Sequence, residues 1–304
     1  LPNAELQNAS FTNCKFDDGN LSKCNMERVI LRGSTFNNSI LAGSNLSRAE
    51  CSEIKGENVN LSNCSCNLSD FHGSDLPFSN ISNSNFIKAN LSAIDFQSTT
   101  AKSSDFTNAD LKDTVFDDAV IENCIFDESD LTNTSFKNAQ LTNCTFHDAV
   151  TSGIELTNCN LTNSELEHLD LSKVGIGRAI LVNTTLIGSN LSGSRFTKAN
   201  LTNCNLQKTN LTKCLFEEVD FTKAALTDSD LSNSKFVRCN LKNANLEKIK
   251  FYQINIDEET NTTGVIIDEK TFRELPNDFQ KILVRDNSEY SQFLMPISKS
   301  KNKY

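Results

Sequence analysis

Three histidines and eleven cysteines carry most of the chemistry that this 304-residue sequence could perform. His147, Asp148, Glu167 and His168 form its candidate metal patch, because imidazoles and carboxylates are ligands that zinc accepts. Spacing of twenty residues links Asp127, His147 and Glu167 in one series, and Glu128, Asp148 and His168 in the next. The cysteines lack CxxC pairing, and the tightest pair is Cys64 and Cys66, so neither a zinc finger nor a dithiol redox motif is written in them. Eleven glycines form no phosphate-binding loop. Catalytic material is thus scarce, and no enzyme is expected within this chain.

The elements that would position these residues follow from a period of five. Every fifth position from Leu1 to Ile256 gives 52 residues, of which 47 are Leu, Phe, Ile or Met; the exceptions are Cys51, Gly56, Cys66, Ala101 and Thr151. Two residues before each of these centres the side chain is small, with Ile54, Ile94, Ile154, Leu169, Ile249 and Ile254 as exceptions. One large and one small inward residue followed by polar ones is neither a helical stripe nor a simple alternating strand, so the chain must turn every five residues. Composition agrees: only 38% of residues are apolar and 22% are charged, which argues against one large globular core and against charge-driven disorder alike.

A second period sets the coil. Twelve central Phe lie at positions ending in 6, including Phe86, Phe96, Phe106, Phe116, Phe126, Phe136 and Phe146. A ten-residue alternation matches opposite sides, so four five-residue sides close a square coil of twenty residues. Asn63, Asn83, Asn123, Asn143, Asn163, Asn183, Asn203 and Asn243 then share one outward corner, as stacked amide ladders would. Coils about 4.8 Å apart make a rod of about 13 coils, roughly 60 Å long.

Units such as Ala109-Asp110-Leu111-Lys112-Asp113, Ala199-Asn200-Leu201-Thr202-Asn203 and Ala244-Asn245-Leu246-Glu247-Lys248 resemble the A(D/N)LXX repeats of pentapeptide-repeat proteins. The resemblance covers about five-sixths of the chain and implies an all-β fold, a right-handed quadrilateral parallel β-helix. It implies no single function, since the motif residues build the fold. Some bacterial members of the family bind DNA gyrase as acidic DNA mimics; others are effectors delivered into host cells, or substrate-binding segments of larger effector enzymes.

Within this frame nine cysteines occupy the small inward position, and Cys51 and Cys66 occupy centres, so all eleven are expected to face the interior as small hydrophobes. Buried, unpaired thiols suit a reducing compartment, hence a cytoplasmic protein of bacterial type or one delivered into a host cell. The His147, Asp148, Glu167, His168 patch is expected to be a solvated face on which acid and base alternate, and no metal or other cofactor is assigned. Small centres at Cys51, Gly56 and Cys66 beside Ile54, and the inverted pair Thr151 and Ile154, are expected to bulge or open.

Charge is uneven. Residues 1–150 carry 20 acidic and 10 basic residues, whereas residues 151–256 carry 10 and 12. Ten acids between 95 and 130 fall on all sides of the coil, as a belt. A DNA mimic should instead run its acids lengthwise, which disfavours gyrase or topoisomerase mimicry as the function. Direct nucleic-acid binding has no basic surface to support it.

The repeat is expected to span 1–256. A loop, Asp257–Gly264, and helical segments to residue 295 should cap it, with Asn277 and Gln280 as a capping box and Phe279, Ile282 and Leu283 as the buried stripe; 296–304 reads as a flexible basic tail. The C-terminal helix offers an alternative role in dimerisation. Leu1 is already a centre, so upstream sequence is expected to have been removed. No run approaches a membrane span. The reading is a noncatalytic protein-binding scaffold whose partner is distinguished by Asp117, Asp118, Arg178, Glu217, Glu218 and Arg238. DNA-mimicking inhibition of a topoisomerase and service as the substrate-binding segment of a larger effector are the alternatives.

Overall fold

A computed structural model describes residues 1–294, so the expected tail at 296–304 lies outside the described residues. Its repeating device is a backbone reversal two residues after every centre. From Asn3 (φ 59°) to Gln253 (φ 54°) each of these positions has positive φ, six of them being glycine, such as Gly43 and Gly153. Left-handed backbone is penalised by Cβ and tolerated best by Gly, Asn and Asp, which accounts for the prevalence of Asn there. The residue before the centre holds the same turn from the other side. Asn80 Oδ1 accepts the Ser82 N–H at 3.0 Å and Asp95 Oδ1 accepts the Gln97 N–H at 2.8 Å. This is an Asx turn, and it gives the D/N of the repeat a structural task.

Residues twenty apart pair in parallel, from Glu5 with Asn25 through Asp230 with Lys250. Regular strands are short: β1 (Thr100–Lys102), β2 (Val120–Glu122) and β3 (Gln140–Thr142) form one sheet, and β4 (Arg195–Thr197), β5 (Leu215–Glu217), β6 (Lys235–Val237) and β7 (Asn255–Ile256) another. The chain is an all-β parallel solenoid followed by a short helical region.

Inside, Phe rings stack at the expected spacing. Phe106 lies 4.9 Å from Phe126 and Phe116 lies 5.3 Å from Phe136, both pairs nearly parallel, while Phe106 and Phe116 meet edge to face at 6.0 Å. Both are preferred aromatic geometries. The small inward position is polar in many units because its hydroxyl has a partner. Ser84 Oγ donates to the Leu61 carbonyl at 2.6 Å, and Ser164 Oγ to the Leu141 carbonyl at 2.6 Å, each a centre 23 residues earlier. Burial therefore leaves these hydroxyls satisfied.

One expected weak point is intact. Cys51 and Gly56 keep their ladder bonds, to the Asp70 carbonyl at 2.7 Å and the Asp75 carbonyl at 2.8 Å. A Cβ on Gly56 would lie 2.7 Å from Val59 Cγ2 and 3.1 Å from Phe36 Cβ, so neighbouring side chains already fill the space. At the second, around Thr151 and Ile154, the ladder does open: Gly153 and Leu156 lose the backbone bonds that their counterparts make.

The ladder also runs past Ile256. Asn261 pairs with Asn240 and Ile266 with Asn245, a spacing of 21, so one residue is inserted and the loop is confined to its neighbourhood rather than reaching Gly264. Helix α1 (Glu269–Glu274) is capped by Asp268, whose carboxylate accepts the Thr271 N–H. Helix α2 (Asn277–Asp286) buries Phe279, Ile282 and Leu283. The expected capping box is absent: Gln280 Nε2 turns back to the Leu275 carbonyl at 2.9 Å, because the end of α1 lies there with unpaired carbonyls. At the other end of α2, side chains take the place of a further coil. Asp286 accepts the Thr262 N–H at 2.8 Å, and Asn287 Nδ2 donates to the Thr262 carbonyl at 2.8 Å. Such pairing blunts an otherwise open edge. Among the described residues no helix is long and apolar enough to cross a membrane.

Candidate functional site

Each unit presents three outward side chains, and twenty-residue stacking turns them into columns. Asp117, Asp118, Arg178, Glu217, Glu218 and Arg238 all fall in two adjacent columns of one wall, the wall whose centres include Phe116, Ile176, Phe216 and Phe236. Asp117 accepts the Lys137 N–H at 3.1 Å, and Asp118 accepts the Asn138 side-chain amide at 2.9 Å. Farther along, the Arg238 guanidinium reaches Glu217 at 3.1 Å and Glu218 at 3.0 Å, while Arg195 and Lys198 approach the same two carboxylates at 3.5 and 3.6 Å. Hydrogen bonding to Arg238 holds the Glu218 carboxyl below its ordinary range. The structure thus joins Glu217, Glu218 and Arg238 in one network and keeps Asp117 and Asp118 apart from it. Between them Arg178 is exposed and makes no ion pair among the described residues, and Gly175 and Gly177 leave the wall beside it bare.

The acidic belt is locally engaged. Asp95, Asp105, Asp110 and Asp130 accept the N–H two residues on, as turn builders. Asp113 and Glu128 accept the amides of Asn133 and Asn108, Glu122 pairs with Lys102 at 3.0 Å, and Asp127 accepts the His147 N–H. Burial alone would raise the Asp130 carboxyl, yet the Thr132 hydroxyl and N–H and the Lys112 ammonium hold it below its usual value. Lys112 is raised in turn by Asp130.

The histidine patch is arranged differently from its columns. His147 Nδ1 lies 3.2 Å from Asp127 and Nε2 lies 3.1 Å from Glu165, and the bond to Asp127 raises its pKa against the effect of burial. Glu167 instead accepts the Thr185 hydroxyl at 2.9 Å, and the His168 ring covers Gly188, where a Cβ would fall 2.5 Å from Nδ1. Among the described residues no three His, Cys, Asp or Glu side chains are grouped to hold a metal ion.

Glu165 escaped the sequence reading because it lies eighteen residues from His147 rather than twenty. The same offset joins Arg32 to Glu50 at 2.8 Å, Lys112 to Asp130 at 3.1 Å and Lys137 to Glu155 at 2.9 Å. It links the residue after one centre to the residue before the next coil's centre, and an eighteen-residue scan for opposite charges would have found it.

Ten cysteines are buried and Cys14 is partly so. Desolvation pushes several of these thiols up, to about 11 for Cys64 and about 12 for Cys159 and Cys214, and higher for Cys51 and Cys204. Such thiols stay protonated at neutral pH and are poor nucleophiles.

Two family descriptions match the sequence. "Pentapeptide repeat region" matches residues 119–196 and 176–251, and "Pentapeptide repeats (8 copies)" matches 1–28, 57–92 and 89–127. No curated protein matches. Among solved structures, HetL, a pentapeptide repeat protein involved in heterocyst differentiation regulation from the cyanobacterium Nostoc sp. strain PCC 7120, is 19% identical; the match covers 80% of this chain and 90% of HetL, with a TM-score of 0.39. QnrB1, a plasmid-mediated fluoroquinolone resistance protein, is 18% identical over 83% of this chain and 98% of its own, with a TM-score of 0.31. Rfr23 from the cyanobacterium Cyanothece 51142 is 22% identical over 42% of this chain and 87% of its own, with a TM-score of 0.28.

Proposed function

The chain belongs to the pentapeptide-repeat family, and on that premise we propose that it is a noncatalytic scaffold that binds a protein partner through one charged wall. In this reading the rod is four-sided and right-handed, with about 13 coils of twenty residues, a ladder that runs on past Ile256 to Ile266, a helical cap beyond it and a basic tail over 296–304. Its buried thiols suit a reducing compartment, the cytoplasm of a bacterium or of a host cell.

The observation that carries the reading is the placement of Asp117, Asp118, Arg178, Glu217, Glu218 and Arg238 on a single wall, with Arg178 unpaired beside the bare Gly175 and Gly177 positions. Within each run of intact ladder the charges are held in fixed positions, Asp117 and Asp118 on one stretch of the wall and Glu217, Glu218 and Arg238 on another, so a complementary surface can be distinguished with little ordering cost inside either group. Topoisomerase inhibition by DNA mimicry is the less favoured reading. The ten acids of the belt engage backbone N–H groups, amides, three hydroxyls and basic side chains of this chain itself, which leaves them poorly placed to stand in for a row of phosphates. Nothing in the geometry favours the substrate-binding segment of a larger effector over a free-standing scaffold.

The test is affinity capture from bacterial and from eukaryotic lysate, comparing the native chain with Asp118→Asn/Arg178→Ala and with Asn163→Gly on another wall. A specific partner lost with the first variant and kept with the second supports the proposal. Equal capture by all three would contradict it.

A further inference from the structure

Between residues 148–156 and 167–175 the solenoid is split. Normal pairing is illustrated next door, where Leu161 N–H donates to the Ile180 carbonyl at 2.7 Å and Ile180 N–H to the Cys159 carbonyl at 2.9 Å. In the split, the N–H groups of Asp148, Thr151, Gly153, Leu156, Asp170 and Gly175 make no hydrogen bond among the described residues. Thr151 Oγ1, donating to the Asp170 carbonyl at 2.8 Å, is a side-chain substitute for the lost ladder. A cavity of about 480 Å³ opens between the lips, lined by Ser152, Gly153, Ile154, Ser172 and Gly175 among others.

The lips themselves are well held. Val150 N–H bonds the Ser129 carbonyl and Glu155 N–H the Thr134 carbonyl, both at 2.9 Å, while Asn190 N–H bonds the Leu169 carbonyl at 2.8 Å. The remaining sides of the same coil stay joined, through Phe146 N–H to the Glu165 carbonyl at 3.1 Å and Asn158 N–H to the Gly177 carbonyl at 2.8 Å. The fault is therefore one-sided, with intact structure above, below and opposite.

Packing explains it. Ile154 and Val174 occupy the small inward position in consecutive coils, and Leu169 occupies it beside Ala149. A lone large residue is tolerated: Ile94 lies between Ser74 and Thr114, and the adjoining ladder bonds, Asp95 N–H to the Ser74 carbonyl at 2.9 Å and Val115 N–H to the Ile94 carbonyl at 3.0 Å, remain. Ile154 followed one coil later by Val174, itself β-branched and among the bulkiest of the small set, exceeds the room that coils about 4.8 Å apart provide, and close-packed interiors relieve excess volume by shifting backbone.

We propose that this split is a hinge, about which two rigid solenoid segments bend. The pivot is the bonded pair of sides at Phe146–Glu165 and Asn158–Gly177, and opening widens the Gly153–Gly175 side. It divides the chain where its charge changes, net −10 over residues 1–150 and net +2 over 151–256. Bending sets the angle between an acidic arm and a weakly basic one, so a single rod can fit partner surfaces of different curvature. Hinges of this kind absorb motion in a few positions while the flanking bodies stay rigid.

Spin labels test it. In a Cys14→Ser background the other native cysteines are buried, so labels go to introduced exposed residues. Glu53→Cys with Lys213→Cys spans the split, and Glu53→Cys with Asn133→Cys lies on one side of it. The expected result is a broad distance distribution across the split and a narrow one within the arm. Repair by Thr151→Leu, Ile154→Ser, Leu169→Ala and Val174→Ser should narrow the first to match the second. Equal widths in the native background, or a width unchanged by repair, overturn the hinge. If the repaired chain fails to fold, amide exchange of the native chain decides: Gly153 and Leu156 should exchange at least about tenfold faster than Asn133 and Phe136 one coil earlier, and equal rates refute the proposal.

Discussion

Asn183 donates its side-chain amide to Asn163 at 3.0 Å, and both residues hold left-handed backbone, at φ 58° and 61°. One residue type therefore does two jobs, turning the chain and binding the turn to its neighbour twenty residues away. Asn163→Ala should destabilise the chain by about 1 to 2 kcal/mol, since Ala lacks the amide that lets Asn tolerate left-handed backbone and that joins the ladder. Asn163→Gly should cost less, because glycine removes the backbone penalty. Thermal melts of the two variants check the order; a Gly variant less stable than the Ala variant would contradict the claim that left-handed backbone is strained for Ala here.

The inward columns should be far more sensitive. Phe116 is fully buried and stacks on Phe96 at 5.4 Å and Phe136 at 5.3 Å. Phe116→Ala is expected to cost about 3 to 5 kcal/mol, by lost burial and the cavity left behind. Denaturant unfolding would contradict the packing account if this variant matched Asn163→Ala.

Acid should loosen the C-terminal cap first. The Arg285 guanidinium and the Thr262 N–H hold the Asp286 carboxyl down to about 2, against the effect of burial. A carboxyl depressed in the folded state contributes stability above its unfolded pKa, near 4, and loses it as pH falls from about 4 to about 2. The contribution is about 2 kcal/mol at neutral pH for this largely buried group. Amide exchange at Thr262 and Gly264 should rise across that window, and Asp286→Asn should remove the pH dependence.

His147 has the opposite sign. Its pKa is raised by Asp127, so the stability it adds is complete below the unfolded value, near 6.5, and is lost as pH rises through the folded one. Imidazole NMR titration should show an upward shift that shrinks in Asp127→Asn. Both ring nitrogens already face carboxylates, so zinc should bind no tighter than about 1 μM; tighter binding abolished by His147→Ala would restore the metal site.

The fold was legible because the centre and small positions are fixed by packing, which a five-residue period exposes directly. Phe106 with Phe126 and Asn163 with Asn183 could be paired from numbering alone. Less was legible at the surface. The eighteen-residue contact of His147 with Glu165 depends on how the turn aims successive side chains, which a twenty-residue column does not convey. Gly56 looked like a void, yet Phe36 and Val59 fill it, because neighbour shape rather than residue size decides. The inserted residue between Ile256 and Asn261 shifted the period to 21 and hid the last pairings. The six wall residues could be named from their charge, but their local ties, such as Arg238 to Glu217 and Glu218, required coordinates.

Mimicry of DNA makes a distinct demand. Acids that replace phosphates should inhibit gyrase supercoiling with a steep salt dependence. No inhibition is expected at micromolar protein. Salt-sensitive inhibition abolished by neutralising the acids between 95 and 130 would favour mimicry over scaffolding.

The central claim is that one wall meets the partner, and site-directed photo-crosslinking reads it most directly. A photoreactive residue is placed in turn at Asn158, the exposed neighbour of Arg178 one coil earlier on the charged wall, and at Asn63, His72 and Lys208 on the other sides, and covalent adducts formed in lysate are counted. The account predicts one protein adduct concentrated at position 158 and weakened by Arg178→Ala. Adducts of equal yield from every side, or none at 158 alongside a strong one elsewhere, would contradict it.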